Sequence, residues 1–174
     1  MSRRRTFRKT VPDAAQQDPA DEILRAKRKA MLLLTDMDRT EAELRRKLSG
    51  SFSAPAVEEA VRYVRSFGYI DDERYAAHYA ETASARKSRT QIRFDLQKKG
   101  LSRELIDRAL EGLETADEKP LIRSLIGKKL RTGRTDDPRL LEKAAAACAR
   151  KGFSASDIRA VISEYKEDMT EDLP

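Results

Sequence analysis

Most of what catalytic and secreted proteins are built around is scarce in this chain. Its 174 residues include one cysteine, Cys148, one histidine, His78, and no tryptophan. A single cysteine excludes an internal disulfide, and one cysteine with one histidine is too few soft ligands for a zinc site within the chain. The cell interior, specifically the cytoplasm, is the expected compartment. No run approaches the roughly 20 apolar residues of a membrane span. The basic start MSRRRTFRKT leads into VPDAAQQDPADE instead of the apolar stretch of a secretion signal, so neither secretion nor membrane insertion is expected. Glycine (7) and proline (6) are few and sit at punctuation points, and no stretch alternates as a strand would. With 39% hydrophobic and 6% aromatic residues, any core must be thin or divided.

Charge is what the chain has in quantity. Asp, Glu, Lys and Arg make up 38% of it, and 36 basic against 30 acidic residues leave a net charge of +6. The pI near 9.5 favours a polyanionic partner without reaching histone-like basicity. A mean hydropathy of −0.72 lies near the composition of disordered chains, so periodicity has to decide whether this one folds.

Periodicity does decide, because a ten-residue phrase occurs three times: FSAPAVEEAV from Phe52, LSRELIDRAL from Leu101 and FSASDIRAVI from Phe153, spaced 49 and 52 residues apart. Each has an apolar residue before a serine and small or aliphatic residues four, seven and eight places after it. Ser53, Ser102 and Ser154 are expected N-caps, whose oxygens accept from the first-turn N–H groups, with the preceding residue stapling the turn. The inward faces are Val57, Ala60 and Val61, then Ile106, Ala109 and Leu110, then Ile158, Val161 and Ile162. The spacing signals tandem units of about fifty residues.

Each unit reads as three helices, so the chain is expected to be all-α. Second helices open at the capping boxes TEAE (Thr40, Glu43) and SRTQ (Ser88, Gln91) and at Asp137 before Pro138. Their apolar stripes are Leu44 and Leu48, then Ile92 and Leu96, then Leu141, Ala144, Ala145 and Cys148. Gly100 and Gly152 are placed to end such helices in the left-handed conformation, while the first copy has the longer connection SGSFS. First helices are expected from Asp21 to about Thr35, from Asp72 to about Ala85 and from about Asp117 to Arg131. They should face inward with Leu24, Met31 and Leu34, with Tyr75 and Tyr79, and with Ile122, Leu125 and Ile126.

The densest acidic stretch, Asp71-Asp72-Glu73 within FGYIDDERYA, could suggest a magnesium site. Such sites need ligands converging from separate segments and a water-activating group, whereas three neighbours at one helix start fan outward. The simpler reading has Phe67 and Gly68 closing one helix, Asp71 or Asp72 capping the next, and Tyr69 and Ile70 plugging the seam. His78 reads as a boundary histidine and Cys148 as a small core residue. There is no nucleophile with its base and no glycine-rich phosphate loop. No catalytic, cofactor-binding or metal residue is therefore assigned, and no enzymatic activity is expected.

The basic residues are unevenly placed. RKSRTQIRFDLQKKGLSR holds Arg86, Lys87, Arg89, Arg93, Lys98, Lys99 and Arg103 against Asp95 alone, and is the candidate partner- or nucleic-acid-binding surface. Lesser clusters are Arg45, Arg46 and Lys47, and Lys128, Lys129, Arg131 and Arg134. An arm of Arg3, Arg4, Arg5, Arg8 and Lys9 precedes the first unit, and the C-terminal end carries Glu164, Glu167, Asp168, Glu171 and Asp172. Helix, glycine turn, helix is also the outline of a helix-turn-helix DNA reader. Its last helix should offer Arg, Lys, Asn or Gln to bases, but Arg103 to Glu114 has two Arg against four carboxylates, and Ala155 to Tyr165 is also slightly acidic. Groove reading fits poorly, while backbone binding through second helices survives.

At FGYIDDERYAAHYAE joined to KSRTQIRFDLQKKGLSRELIDRAL the sequence resembles the RecX family, the bacterial regulators of the RecA recombinase. The resemblance spans roughly Ala20 to Leu113. It rests on Gly68, Tyr69, Ile70, Asp71, Asp72, Arg74, Tyr75 and Ala76, and on the basic helix ending Lys98, Lys99 and Gly100. The third unit, with Pro120 and the alanine run Ala144 to Ala147, resembles the family only in pattern. The resemblance implies three tandem three-helix repeats in an elongated, curved arrangement. It also implies a monomeric, non-enzymatic regulator that lies along the RecA filament on DNA and modulates, usually represses, its activities. The alternative is a protein acting directly on single- or double-stranded DNA, and weak direct DNA contact is expected beside RecA. No cofactor and no membrane partner are expected. The organisation expected is a basic arm over 1–20, repeats over 21–70, 71–115 and 116–165, and an acidic tail over 166–174.

Overall fold

A computed structural model describes residues 18–113, 117–130 and 138–171. Arg3, Arg4, Arg5, Arg8 and Lys9 of the basic arm, Arg131, Arg134, the expected cap Asp137 and Asp172 lie outside the described residues, and the end of the expected arm is already helix, since Asp18 caps the helix that starts at Pro19. Among those described there are nine helices and no strand: α1 (Pro19–Asp36), α2 (Glu41–Ser49), α3 (Ala54–Ser66), α4 (Asp72–Ser84), α5 (Arg89–Lys98), α6 (Arg103–Glu111), α7 (Lys119–Leu130), α8 (Pro138–Arg150) and α9 (Ala155–Glu171). They form three successive three-helix repeats. Spatially the chain divides into two compact units, one holding α1 and Leu44–Tyr69, the other Arg39–Glu43 and everything from Ile70 onward.

In the first unit α1 packs against α3. The buried residues of α1 are Ala26 and Ala30, and those of α3 are Ala56, Val57, Ala60, Val61 and Val64. This rotates the inward face of α1 away from the expected one. Leu24 is 46% exposed, and Met31 and Leu34 are only half-buried. The sequence reading followed the largest apolar side chains, whereas alanines on both helices let the backbones approach closely and so take the interior positions.

The second unit holds two cores. Ala76, Ala80, Ile92, Leu96, Leu101, Ile106 and Leu110 form one, with Tyr75 and Tyr79 packed against it as expected. Ile122, Ile126, Leu141, Ala144, Cys148, Phe153, Ile158 and Val161 form the other. Burial pushes the Cys148 thiol above its ordinary pKa, in keeping with a core residue.

Helix ends follow the sequence at most positions. Ser102 accepts from the Leu105 N–H at 3.3 Å and Ser154 from the Asp157 N–H at 3.0 Å. Ser53 stands at the N-cap of α3 but makes no such bond. Instead its N–H and hydroxyl both donate to Glu22 of α1, at 2.8 and 2.6 Å. A carboxylate is the stronger acceptor, and the packing of α1 on α3 delivers it to the spot. Glycines Gly68, Gly100 and Gly152 adopt φ of 71°, 84° and 81° after α3, α5 and α8. At each, the N–H of the glycine and of the residue after it return to carbonyls of the last helical turn.

One joint occurs twice in the second unit. The Thr40 hydroxyl donates to the Lys99 carbonyl at 2.6 Å while accepting from the Glu43 N–H. The Ser88 hydroxyl likewise donates to the Lys151 carbonyl while accepting from the Gln91 N–H. Thr40 and Ser88 are the two fully buried polar side chains among the described residues. Beside each, the next backbone N–H finds a carboxylate: Glu41 N–H donates to Asp72 at 2.9 Å and Arg89 N–H to Glu118 at 2.8 Å. The facing glycines complete the seam, because a Cβ on Gly100 would run into Ala42, and one on Gly152 would lie 2.7 Å from Thr90 Cβ.

Two comparisons test these seams by urea unfolding. Ser88→Ala removes a buried donor-acceptor and should cost about 1 to 3 kcal/mol, more than the exposed cap change Ser102→Ala at about 0.5 to 2 kcal/mol. Gly68→Ala and Gly152→Ala both force a positive φ, costing about 1 to 2 kcal/mol, but only Gly152→Ala adds a clash and should be the worse of the two. Equal losses within both pairs would remove the special role of the seam.

Candidate functional site

The seven basic residues singled out in the sequence fall in the turn after α4, along α5 and at its C-cap, and at the start of α6. Most already have carboxylate partners. Lys87 lies 2.7 Å from Asp95, Arg89 3.6 Å from Glu118, and Lys99 3.1 Å from Glu43. Arg93 pairs with Asp107, and Arg103 stands 3.6 Å from that same carboxylate. Lys98 lies 4.3 Å above the exposed Phe94 ring, a cation–π contact. Arg86 and Lys98 make no ion pair among the described residues.

The pairing shapes the electrostatics. Burial alone would raise the Asp95 pKa, but hydrogen bonds from Lys87 and from the Tyr79 hydroxyl outweigh it and hold the carboxyl below its ordinary value. Lys87 is raised, chiefly by the bond to Asp95 and then by that to Tyr79. At Lys99, burial is opposed and outweighed by hydrogen bonds to Tyr75 and Glu43, so its pKa is raised as well. Asp107 is lowered by its hydrogen bond from Arg93. Separated by a single turn, Arg89 and Arg93 line one cleft of about 480 Å³, which they share with Asp107 and Glu111. A second cleft, of about 410 Å³, is lined by Thr82, Arg86, Lys87, Gln91 and Lys151, with Tyr79 and Ala83 as its apolar wall. Lys151 was not picked out from the sequence. Aligning the repeats would have found it, since it occupies the position of Lys99.

The acidic stretch is structural in each of its members. Asp71 caps α4 by accepting from the Arg74 N–H at 2.9 Å, Asp72 accepts from Glu41 N–H, and Glu73 pairs with Arg108 at 2.8 Å. No group of three or more potential metal ligands converges among the described residues. Ile70 is buried as expected, but Tyr69 is 52% exposed instead of plugging the seam. The turn at Gly68 sends Ile70 inward and leaves Tyr69 outside, 6.2 Å from the Phe67 ring, which in turn lies 4.9 Å from Tyr63. His78 is exposed on α4. No described helix is long and apolar enough to cross a membrane.

Repeated seams, a divided core and a surface of mutually paired charges define a tandem three-helix-repeat protein. Models of the second and third three-helix domains of RecX match residues 71–110 and 117–162. The regulatory protein RecX of Mycolicibacterium smegmatis is 31% identical over 162 residues, covering 88% of this chain and 86% of that protein. The Mycobacterium ulcerans regulatory protein RecX is 30% identical over 150 residues, covering 83% and 86%. A crystal structure of regulatory protein RecX superposes with a TM-score of 0.73 at 28% identity, over 82% of this chain and 72% of that one. The chain belongs to the RecX family of regulatory proteins. Its third repeat carries the family likeness too, beyond the limit at Leu113 drawn from the sequence. Alanines at Ala144 to Ala147 thin out the side chains by which that repeat could be recognised by eye.

The Asp95 network has a pH signature. Its folded pKa is lowered, so its contribution is complete above the ordinary carboxylate range and is lost as pH falls through the lowered value. Asp95→Asn should cost about 1 kcal/mol at pH 7, the partial exposure of the pair keeping the figure small. The gap from wild type should narrow in urea titrations as the pH is taken below the ordinary carboxylate range. A gap that stays the same size as the pH falls would refute the assignment.

Proposed function

We propose that this chain regulates the RecA recombinase by binding along the RecA filament on DNA, usually to repress it. In this way it modulates recombination, DNA repair and the SOS response without chemistry of its own. The observation that carries this reading is family membership: the relatives named regulatory protein RecX align over most of their length. The contact surface is Arg86, Lys87, Arg89, Arg93, Lys98, Lys99 and Arg103. Arg86 and Lys98 have no ion pair to give up. The other five would exchange an internal carboxylate for an anionic group of the filament, a trade that favours specificity and encounter rate more than net affinity.

Co-sedimentation with RecA assembled on single-stranded DNA, beside RecA alone and DNA alone, tests the reading. Retention by the assembled filament should exceed retention by either component, and pelleting no better than with DNA alone would defeat it. Changing Arg89 and Arg93 together to Ala should weaken filament association and flatten its salt dependence, through fewer released counterions or fewer paired carboxylates. Each pair is partly exposed, so thermal unfolding should show no more than about 1 kcal/mol lost per residue. Equal affinity and equal slope would make these arginines structural only.

A further inference from the structure

The two seams share a backbone geometry but differ in charge. At the first, the Lys99 ammonium is neutralised by Glu43 at 3.1 Å. At the second, the position equivalent to Glu43 is Gln91, a neutral amide, and Lys151 makes no ion pair among the described residues. The position equivalent to Asp38 is Arg86, also without an ion pair. Thus two acidic positions of one repeat are replaced in the next by an amide and a guanidinium, while the basic positions Arg39 and Lys99 stay basic as Lys87 and Lys151. Arg86, Lys87, Gln91 and Lys151 line the same cleft, with the Thr82 hydroxyl. No carboxylate among the described residues lines the cleft, and Asp95, which meets Lys87 beside it, also accepts from Tyr79.

The cleft is held open by backbone that cannot readily shift. The Lys151 carbonyl receives the Ser88 hydroxyl, and the Arg86 and Lys87 N–H groups both return to the Ala83 carbonyl at 2.9 Å. Its polar rim is a guanidinium, two ammoniums and an amide, a set rich in donors. A phosphodiester can accept from several such donors at once. We infer that the second seam doubles as a phosphodiester-binding cleft, in which Arg86 and Lys151 grip the backbone of a nucleic-acid strand and Gln91 leaves their charge unopposed. This goes beyond the filament reading and is read out on nucleic acid without RecA, so either can fail while the other stands.

The experiment is fluorescence anisotropy of a labelled single-stranded oligonucleotide titrated with the full chain at several salt concentrations. Arg86→Gln with Lys151→Gln should weaken binding about tenfold and reduce the log–log salt slope by about 1.4. Gln91→Glu, which rebuilds the neutralised arrangement of the first seam, should also weaken binding about tenfold. Because that change keeps the capping box with Ser88, Glu serving there as well as Gln, thermal unfolding should stay level, and the loss cannot be put down to misfolding. Lys143→Gln with Lys166→Gln removes the same net charge from exposed positions of α8 and α9 and should matter much less. An equal loss in that control would show a response to net charge only and overturn the cleft. So would an unaltered affinity in Gln91→Glu. Binding by the wild type to RecA filaments but not to DNA alone would assign the cleft to protein carboxylates and overturn it as well.

Discussion

The hydrogen bond from a buried cap hydroxyl to the carbonyl just before a left-handed glycine is the constraint on which the second unit depends. Thr40 to Lys99 and Ser88 to Lys151 bridge residues 59 and 63 apart in the chain. Each bond joins the orphan groups of one helix start to those of another helix end, two places where backbone polarity would otherwise need water. The partner carboxylates Asp72 and Glu118 satisfy one further N–H apiece, and the absent Cβ of Gly100 and Gly152 permits the close approach. A chain with so lean an apolar content has little else with which to tie one small core to the next.

Charge serves the same end. Glu22 holds the start of α3, Glu73 reaches Arg108, Asp107 gathers Arg93 and Arg103, and Asp95 anchors Lys87 and Tyr79. Part of the charged composition therefore ties helices together, although these pairs stay partly exposed to solvent. Within the basic segment, the cations left without an ion pair among the described residues are Arg86 and Lys98.

Under the proposed regulatory function, contact with a partner is made through such surfaces. The acidic stretch that invites a catalytic reading is fully engaged in capping and pairing, and the exposed aromatics Tyr63, Phe67 and Tyr69 cluster with one another. Within the second unit the same backbone joint occurs at both seams, so a substitution at one seam can change the charge of the surface while that joint is kept.

The sequence by itself determined the all-helical class, the repeat, the caps at Thr40, Ser88, Ser102 and Ser154, the terminating glycines and most core positions. All of these rest on interactions within a few residues, where spacing is nearly the whole of the physics. It misplaced the inward face of α1, the role of Ser53 and the side of Tyr69, each decided by a neighbour distant in sequence. It marked a basic segment but could not show that Lys87, Arg89, Arg93, Lys99 and Arg103 meet carboxylates. Nor could it bring Lys151 beside Arg86. Only the tertiary structure decides which charges are used up internally and which stay available, because Coulomb and hydrogen-bond energies depend on distance in space, and the fold sets that distance.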